Sequence, residues 1–421
     1  MNFVKKFDSG LTLIAEYMPQ RYSVSLGVMV NVGSIRETPE VNGYSHFIEH
    51  LNFKGTKRFT AAEISERISD VGGVMNAYTS KDLTCFYTQS EAGALETCVD
   101  LLADLYFNST YDEGEIEKEK TVVIEEIKMG LDMPEDVCQD LLFEAAYKDQ
   151  KLGQTIIGSA ENIEHSDRNS ILKYREKYYV GNNTIISVAG NFDTEKLVSM
   201  IEKYFESNFK RSAVVEEEET SKHSAEFLTQ FKDVEQAHVA LAFPAATFSD
   251  QEETVKFSLF SSIFGGESSS RLFKTIREDH GLAYSVYSYY SRYKNSGFLE
   301  IYCGCSPKNV KKVAQDIQNE MRKAATEGFT QKELDRAKAV AVNSAYMAFD
   351  NTMNVMLSNG KTFAKLGRAY DLEGFVDQVK GVSLEQVNEV ARRCLSSPFA
   401  ASYVGKNVPD HKEITKISLK N

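Results

Sequence analysis

Two periods run along this chain. Nearly continuous apolar runs at 22–34 (YSVSLGVMVNVGS), 184–192 (TIISVAGNF) and 237–244 (AHVALAFP) are of strand length and predict buried strands. A shorter strand from Leu11 to Glu16 is entered through a turn at Asp8-Ser9-Gly10. Other stretches carry apolar positions three and four apart. Leu95, Val99, Leu102 and Tyr106 mark one such helix, and Ile116, Val123 and Ile127 mark another over 112–130. The helix at 61–73 stops at a glycine pair. VMNAYTS and LTCFYTQ, either side of Lys81-Asp82, predict a hairpin.

The same order returns after residues 212–227 (SAVVEEEETSKHSAEF), an acidic run without apolar periodicity that has the composition of a linker. Beyond it, a strand leads to helices at TVKFSLFSSIFGG and SSRLFKTIRE. A hairpin (LAYSVYSYYSRY and GFLEIYCGC), further helices and a final strand, FAASYVG, follow. The pattern predicts an internal repeat of two α+β halves, 1–211 and 228–421, joined by the linker.

Composition narrows the class. The chain has 421 residues, 42% hydrophobic and 26% charged, as expected of well-formed globular domains. No run approaches the roughly 18 apolar residues of a membrane helix, and the N-terminus lacks a secretory pattern. A net charge of −13 without a basic stripe argues against nucleic acid as a partner. Cys85, Cys98, Cys138, Cys303, Cys305 and Cys394 show no disulfide spacing, which fits a reducing, cytoplasmic setting. Cys303 and Cys305 share one strand face, where small buried apolar residues are a better reading than a redox or metal pair.

The candidate chemistry lies in GYSHFIEHLNFKGT, residues 43–56. On a helix, His46, Glu49 and His50 project from one face within one turn. Two imidazoles at i and i+4 can offer two ligands to zinc, and the neighbouring carboxylate can take a proton from a metal-activated water. A chance HxxEH is expected in about one chain in a hundred of this composition, so the motif alone leaves solvated surface histidines open. A third ligand is available on the 112–130 helix. Glu119 and Glu126 fall on its apolar stripe, and carboxylates are seldom buried unless paired or bound to metal. Glu125 lies on a more solvated face. A stripe that is only partly buried, with both acids in water, is the competing reading.

Taken together, HFIEHLNFKGT, GGVMNAYTSKDLTCFYT and KEKTVVIEEI resemble the inverzincin metallopeptidases of the pitrilysin and insulysin family, in particular a bacterial-type, mitochondrial processing peptidase-like branch. The resemblance runs from the first strand to beyond residue 300. It implies two homologous α/β-sandwich halves facing each other across a chamber. It also implies one Zn2+ per chain on His46, His50 and Glu126, with Glu49 as general base and Glu119 orienting a ligand. Asn76 and Ala77 match an edge strand to which family members add peptide substrates. Arg277 and Tyr284, seven apart in SSRLFKTIREDHGLAYSV, match a pair that steadies the oxyanion. From the residues alone these two read as a surface salt bridge and a strand-face aromatic. Asn52 stands where the family more often has an apolar residue, off the ligand face.

The reading is therefore a zinc endopeptidase acting on peptides or unfolded segments, with a homodimer implied by the resemblance alone. The competing class is a non-catalytic partner or structural subunit, or a subunit active only beside a different chain. His238 and His280 of the second half read as structural or surface residues.

Overall fold

A computed structural model describes residues 2–209 and 219–406. Among these, the chain forms two compact units: residues 2–127, 155–209 and 346–370 make one, and residues 128–154, 219–345 and 371–406 the other. Residues 212–218 of the acidic stretch lie outside the described residues.

The first unit is built on a six-stranded sheet of β1 (Asn2–Lys6), β2 (Thr12–Tyr17), β3 (Ser23–Val30), β4 (Val74–Thr79), β5 (Thr84–Glu91) and β6 (Thr184–Gly190), in the order β1-β2-β6-β3-β5-β4. Only β2 and β6 pair in parallel. The apolar run of β3 is central and covered on both faces, which explains why it lacks a polar side. Leu26, Val28 and Val30 turn towards one face. There they pack with helices α1 (Tyr44–Asn52), α2 (Ala61–Asp70) and α3 (Leu95–Asn108), and with Arg168–Tyr178 and Thr194–Tyr204. Met29 turns to the other face, where it meets Val355 and Met356 of the helix Thr352–Leu366.

The second unit has a five-stranded sheet of β7 (Phe227–Phe231), β8 (Ala237–Pro244), β9 (Ala283–Arg292), β10 (Gly297–Cys305) and β11 (Ala400–Gly405), ordered β7-β11-β8-β10-β9. This is the order β2-β6-β3-β5-β4 repeated, with the same directions: β7 and β11 are parallel and the rest antiparallel. The internal repeat is thus present in the strand topology. One face packs against Gln251–Ser261, Val310–Thr326 and Leu384–Leu395. The other is covered by α5 (Pro134–Ala146), which follows α4 (Glu113–Asp132) in the chain. From α5, the Cys138 carbonyl accepts the Ser402 hydroxyl at 2.7 Å, and Phe143 meets Phe298 edge-on at 5.1 Å.

The units consequently differ from the contiguous halves 1–211 and 228–421. Helix α5 comes from the first half of the sequence and covers the second sheet, whereas Thr352–Leu366 comes from the second half and covers the first. Periodicity shows that α5 has an apolar stripe (Val137, Cys138, Leu142, Ala145), but not which sheet receives it. The described end of the acidic stretch belongs with the second unit: His223 Nε2 is 3.1 Å from the Ala242 carbonyl, and Ser224 N–H donates to the Ala146 carbonyl at 2.7 Å.

Candidate metal centre

Helix α1 carries the HxxEH residues, and its start is held from outside the helix. Its first residue is preceded by Gly43 at φ 103°, a left-handed conformation that glycine adopts without steric cost. A Cβ there would stand 2.6 Å from the Ile157 carbonyl, so only glycine lets the 157–158 backbone approach. No side chain at Gly43 can cap the helix. Glu37, from the preceding loop, does so instead: its carboxylate accepts the N–H groups of Gly43 and Ser45, both at 2.7 Å, and Asn42 Nδ2 at 2.9 Å. Glu37 is fully buried; burial raises its pKa, against the lowering effect of the Ser45 and Gly43 N–H groups.

From this start His46, Glu49 and His50 project from one face, and the two imidazole rings meet edge-on with centroids 4.6 Å apart. Helix α4 supplies Glu126, with Oε1 at 3.8 Å from His46 Nε2 and Oε2 at 3.5 Å from His50 Nε2. Two ligands about 2.1 Å from a tetrahedral zinc lie about 3.4 Å apart, close to these separations. One ligand atom from each of His46, His50 and Glu126 falls within 4.8 Å of the others, a set that fits a divalent ion by geometry and donor type. Glu125 is exposed, as its place on the helix predicts.

The two histidines differ electrically. Burial, reinforced by His50, pushes His46 down to about 4, so its ring is neutral and can ligate. His46 Nδ1 is buried without a hydrogen-bond partner among the described residues, which leaves Nε2 as the nitrogen facing Glu126. For His50, burial opposes protonation, but the bond to Glu119 and the charges of Glu126 and Glu49 outweigh it and raise the pKa. Glu119 Oε1 is 2.8 Å from His50 Nδ1, which fixes the tautomer with Nε2 towards Glu126. Buried to 4% side-chain exposure, Glu119 also takes Lys54 Nζ on Oε2 at 2.6 Å. Burial raises its pKa, yet His50 and Lys54 together hold it below the usual range.

Glu49 stands beside these groups without belonging to the convergent set. Burial raises its pKa, opposed by a hydrogen bond that Thr79 Oγ1 donates to Oε2 at 2.5 Å. Thr79 ends β4, one of the two edge strands of the first sheet among the described residues. Asn76 and Ala77 lie on the same strand. Where the hairpin turns, the N–H of Ser80 donates to the Leu83 carbonyl at 2.7 Å, so by alternation Ala77 and Thr79 direct their backbone groups away from β5, and the N–H of Ala77 donates to Asn76 Oδ1 at 2.8 Å.

Seven of the nine residues singled out from sequence thus lie in the first unit: His46, Glu49, His50, Glu119, Glu126, Asn76 and Ala77. Arg277 and Tyr284 belong to the second unit and meet each other. Arg277 donates to the Tyr284 carbonyl at 2.7 Å, and its guanidinium lies 4.6 Å from the Tyr284 ring centre. Tyr284 occupies an irregularity in the β9–β10 register, and 74% of it is exposed. Asn52 is buried, with Oδ1 accepting the Tyr111 hydroxyl at 2.6 Å, so a polar side chain is satisfied there. His238 and His280 have partners of their own, at 2.7 Å from the Tyr302 hydroxyl and 2.8 Å from Asp316. Sequence reading missed Glu37, Lys54 and Thr79. For Lys54 a signal was present, four residues beyond His50 and so on the ligand side of the segment.

Comparison with known proteins gives concordant results. The family model described as insulinase (peptidase family M16) matches residues 12–160, and the peptidase M16 inactive domain matches residues 166–340. An uncharacterized zinc protease of Bacillus subtilis, YmxG, is 38% identical over 397 residues, covering 94% of this chain and 96% of the relative. A crystal structure of a protease from Helicobacter pylori superposes with a TM-score of 0.88 at 22% identity, over 96% of this chain and 99% of that one. A peptidase M16 inactive domain from Pseudomonas fluorescens gives 0.90 at 17% identity, over 97% and 98%. These two likenesses establish the two-domain fold.

Proposed function

The chain belongs to the insulinase family of peptidases, M16, and from that premise we propose that it is a zinc-dependent endopeptidase acting on peptides or unfolded segments. The observation that carries the proposal is the convergence of His46 Nε2, His50 Nε2 and the Glu126 carboxylate, with Glu49 beside them and held by a separate donor. In this reading one Zn2+ is held per chain by His46, His50 and Glu126. A bound zinc supplies Lewis acidity, polarising the scissile carbonyl and lowering the pKa of a water to about 7.

The remaining steps belong to the protein. Glu49 takes a proton from the attacking water and later delivers it to the leaving amine, so one water is consumed and one peptide bond broken. Glu119 keeps His50 in the ligating tautomer. Asn76 and Ala77 receive the substrate as an added strand, so that main-chain hydrogen bonds supply much of the affinity and few side-chain sequences are excluded. In the same reading, Arg277 and Tyr284 are the guanidinium and phenol donors for the oxyanion of the tetrahedral intermediate.

The test is cleavage of a long unstructured peptide by the purified chain beside Glu49→Gln, with zinc content measured on both. The expected result is one zinc in each and a loss of about 10²–10⁴ in kcat for the variant. Equal cleavage by both would remove Glu49 from the mechanism. Zinc binding without cleavage by either would favour the partner-subunit reading.

A further inference from the structure

We infer that Thr79 is a positioning residue that ties the general base to the strand receiving the substrate, an inference that rests on the function proposed above. In the antiparallel pairing of β4 with β5, alternate residues direct their backbone groups to opposite edges. The N–H of Ala77, bonded to Asn76 Oδ1, marks the outward set, and Thr79, two residues on, belongs to that same set. Ala77 and Thr79 also share a sheet face, the one turned towards α1. One short strand therefore carries both the outward backbone groups and the hydroxyl that fixes Glu49.

A carboxylate that must accept a proton needs one oxygen directed and the other open. The Thr79 hydroxyl occupies Oε2, and among the described residues no hydrogen bond is made to Oε1. Threonine suits the task because branching at Cβ restricts χ1, so the β4 backbone sets where the hydroxyl points. A strand added along β4 would thus be aligned with the backbone that orients the base. Serine keeps the donor and loses the restriction; valine keeps the shape and loses the donor.

The experiment compares Thr79→Val and Thr79→Ser with the parent and with Glu49→Gln. Expected for Thr79→Val is a 10- to 100-fold fall in kcat, with KM within about threefold, and unchanged zinc content and melting temperature. Thr79→Ser should recover most of kcat. A second readout needs neither metal nor turnover: in a crystal structure of metal-free Thr79→Val, the Glu49 carboxylate should leave its present position or occupy more than one. Parent-like kcat in Thr79→Val, an equal defect in Thr79→Ser, a defect confined to KM, or an unmoved Glu49 carboxylate would each overturn the inference. If Thr79→Val does not fold, the Ser variant against the parent and the Glu49 position in Thr79→Ala decide the matter. A parent that fails to cleave, with Glu49 still displaced in the variant, would count against the proposed function and not against Thr79.

Discussion

Lys54 Nζ lies 2.6 Å from Glu119 Oε2, while the other oxygen of that buried carboxylate is 2.8 Å from His50 Nδ1. The ammonium thereby helps keep Glu119 ionised where burial alone would favour a proton. An ionised Glu119 in turn keeps the His50 proton on Nδ1 and Nε2 open. Such outer partners commonly contribute 10- to 100-fold to metal affinity. Replacing Lys54 by Met should weaken zinc binding by about that factor, read by competition against a chromophoric chelator. Lys54→Arg, which keeps the charge, should retain more of the affinity than Met. Equal affinity in Lys54→Met and the parent would remove Lys54 from the site.

Glu37 supports the same helix from the other end. Its carboxylate satisfies the N–H groups of Gly43 and Ser45 in a place where water does not reach. Glu37→Ala would strand both donors, each at a cost of about 1–3 kcal/mol. The variant is expected to lose about 2–6 kcal/mol in urea denaturation and to bind zinc more weakly, because His46 rides on that first turn. A loss within about 0.5 kcal/mol would show that water replaces the carboxylate.

Much of this was readable in the sequence, for identifiable reasons. His46, Glu49 and His50 were visible because one helical turn places them together, and Glu126 because it interrupts an apolar stripe. The repeat was visible in element order, and the strand topology repeats likewise. β1 was not visible: Lys5 and Lys6 make its end polar, as suits a sheet edge, and it reads as a lead-in to β2. Glu37 sits in IRETPEVNG, a stretch with every mark of a solvated loop, and its burial depends on a helix N-terminus that no local pattern announces. Thr79 reaches Glu49 across 30 residues and Lys54 reaches Glu119 across 65, through side-chain bonds that have no period. SSRLFKTIRE, expected as a plain helix, widens into a π-helical turn that runs over Phe273–Asp279, a widening that composition does not encode.

The six cysteines make a simpler prediction. All are buried and none is bonded to another. Burial pushes the Cys85 thiol up to about 12 and that of Cys138 likewise to about 12, from 9.0. For these two the thiolate fraction falls by about 10³, and burial closes off access to all six. With an aromatic disulfide reagent at pH 8, the native chain should release no chromophore over minutes, and six equivalents should appear after guanidinium. Prompt release of two equivalents by the native protein would point to Cys303 and Cys305 and revive a redox reading for that pair.

Glu300 offers a pH-dependent test in the second unit. It lies on β10, 5% exposed, with Gln139 Nε2 at 2.5 Å from Oε1. Burial pushes its carboxyl up to about 7, with Gln139 opposing and the charge of Glu135 adding to the rise. The unfolded chain releases this proton near 4.5. Between those values the native state holds more proton than the unfolded state, so stability falls as pH rises. The contribution is fully present below about 4.5 and lost as pH passes about 7, amounting to about 3 kcal/mol at most. Glu300→Gln keeps a hydrogen-bonding partner for Gln139 and removes the titration. Protonation of the metal ligands in acid affects parent and variant alike, so it cancels in their difference. Measured by urea denaturation at pH 5 and pH 8, the variant should gain on the parent at the higher pH. A difference that stays constant between the two would mean that Glu300 keeps an ordinary carboxylate pKa in the folded chain.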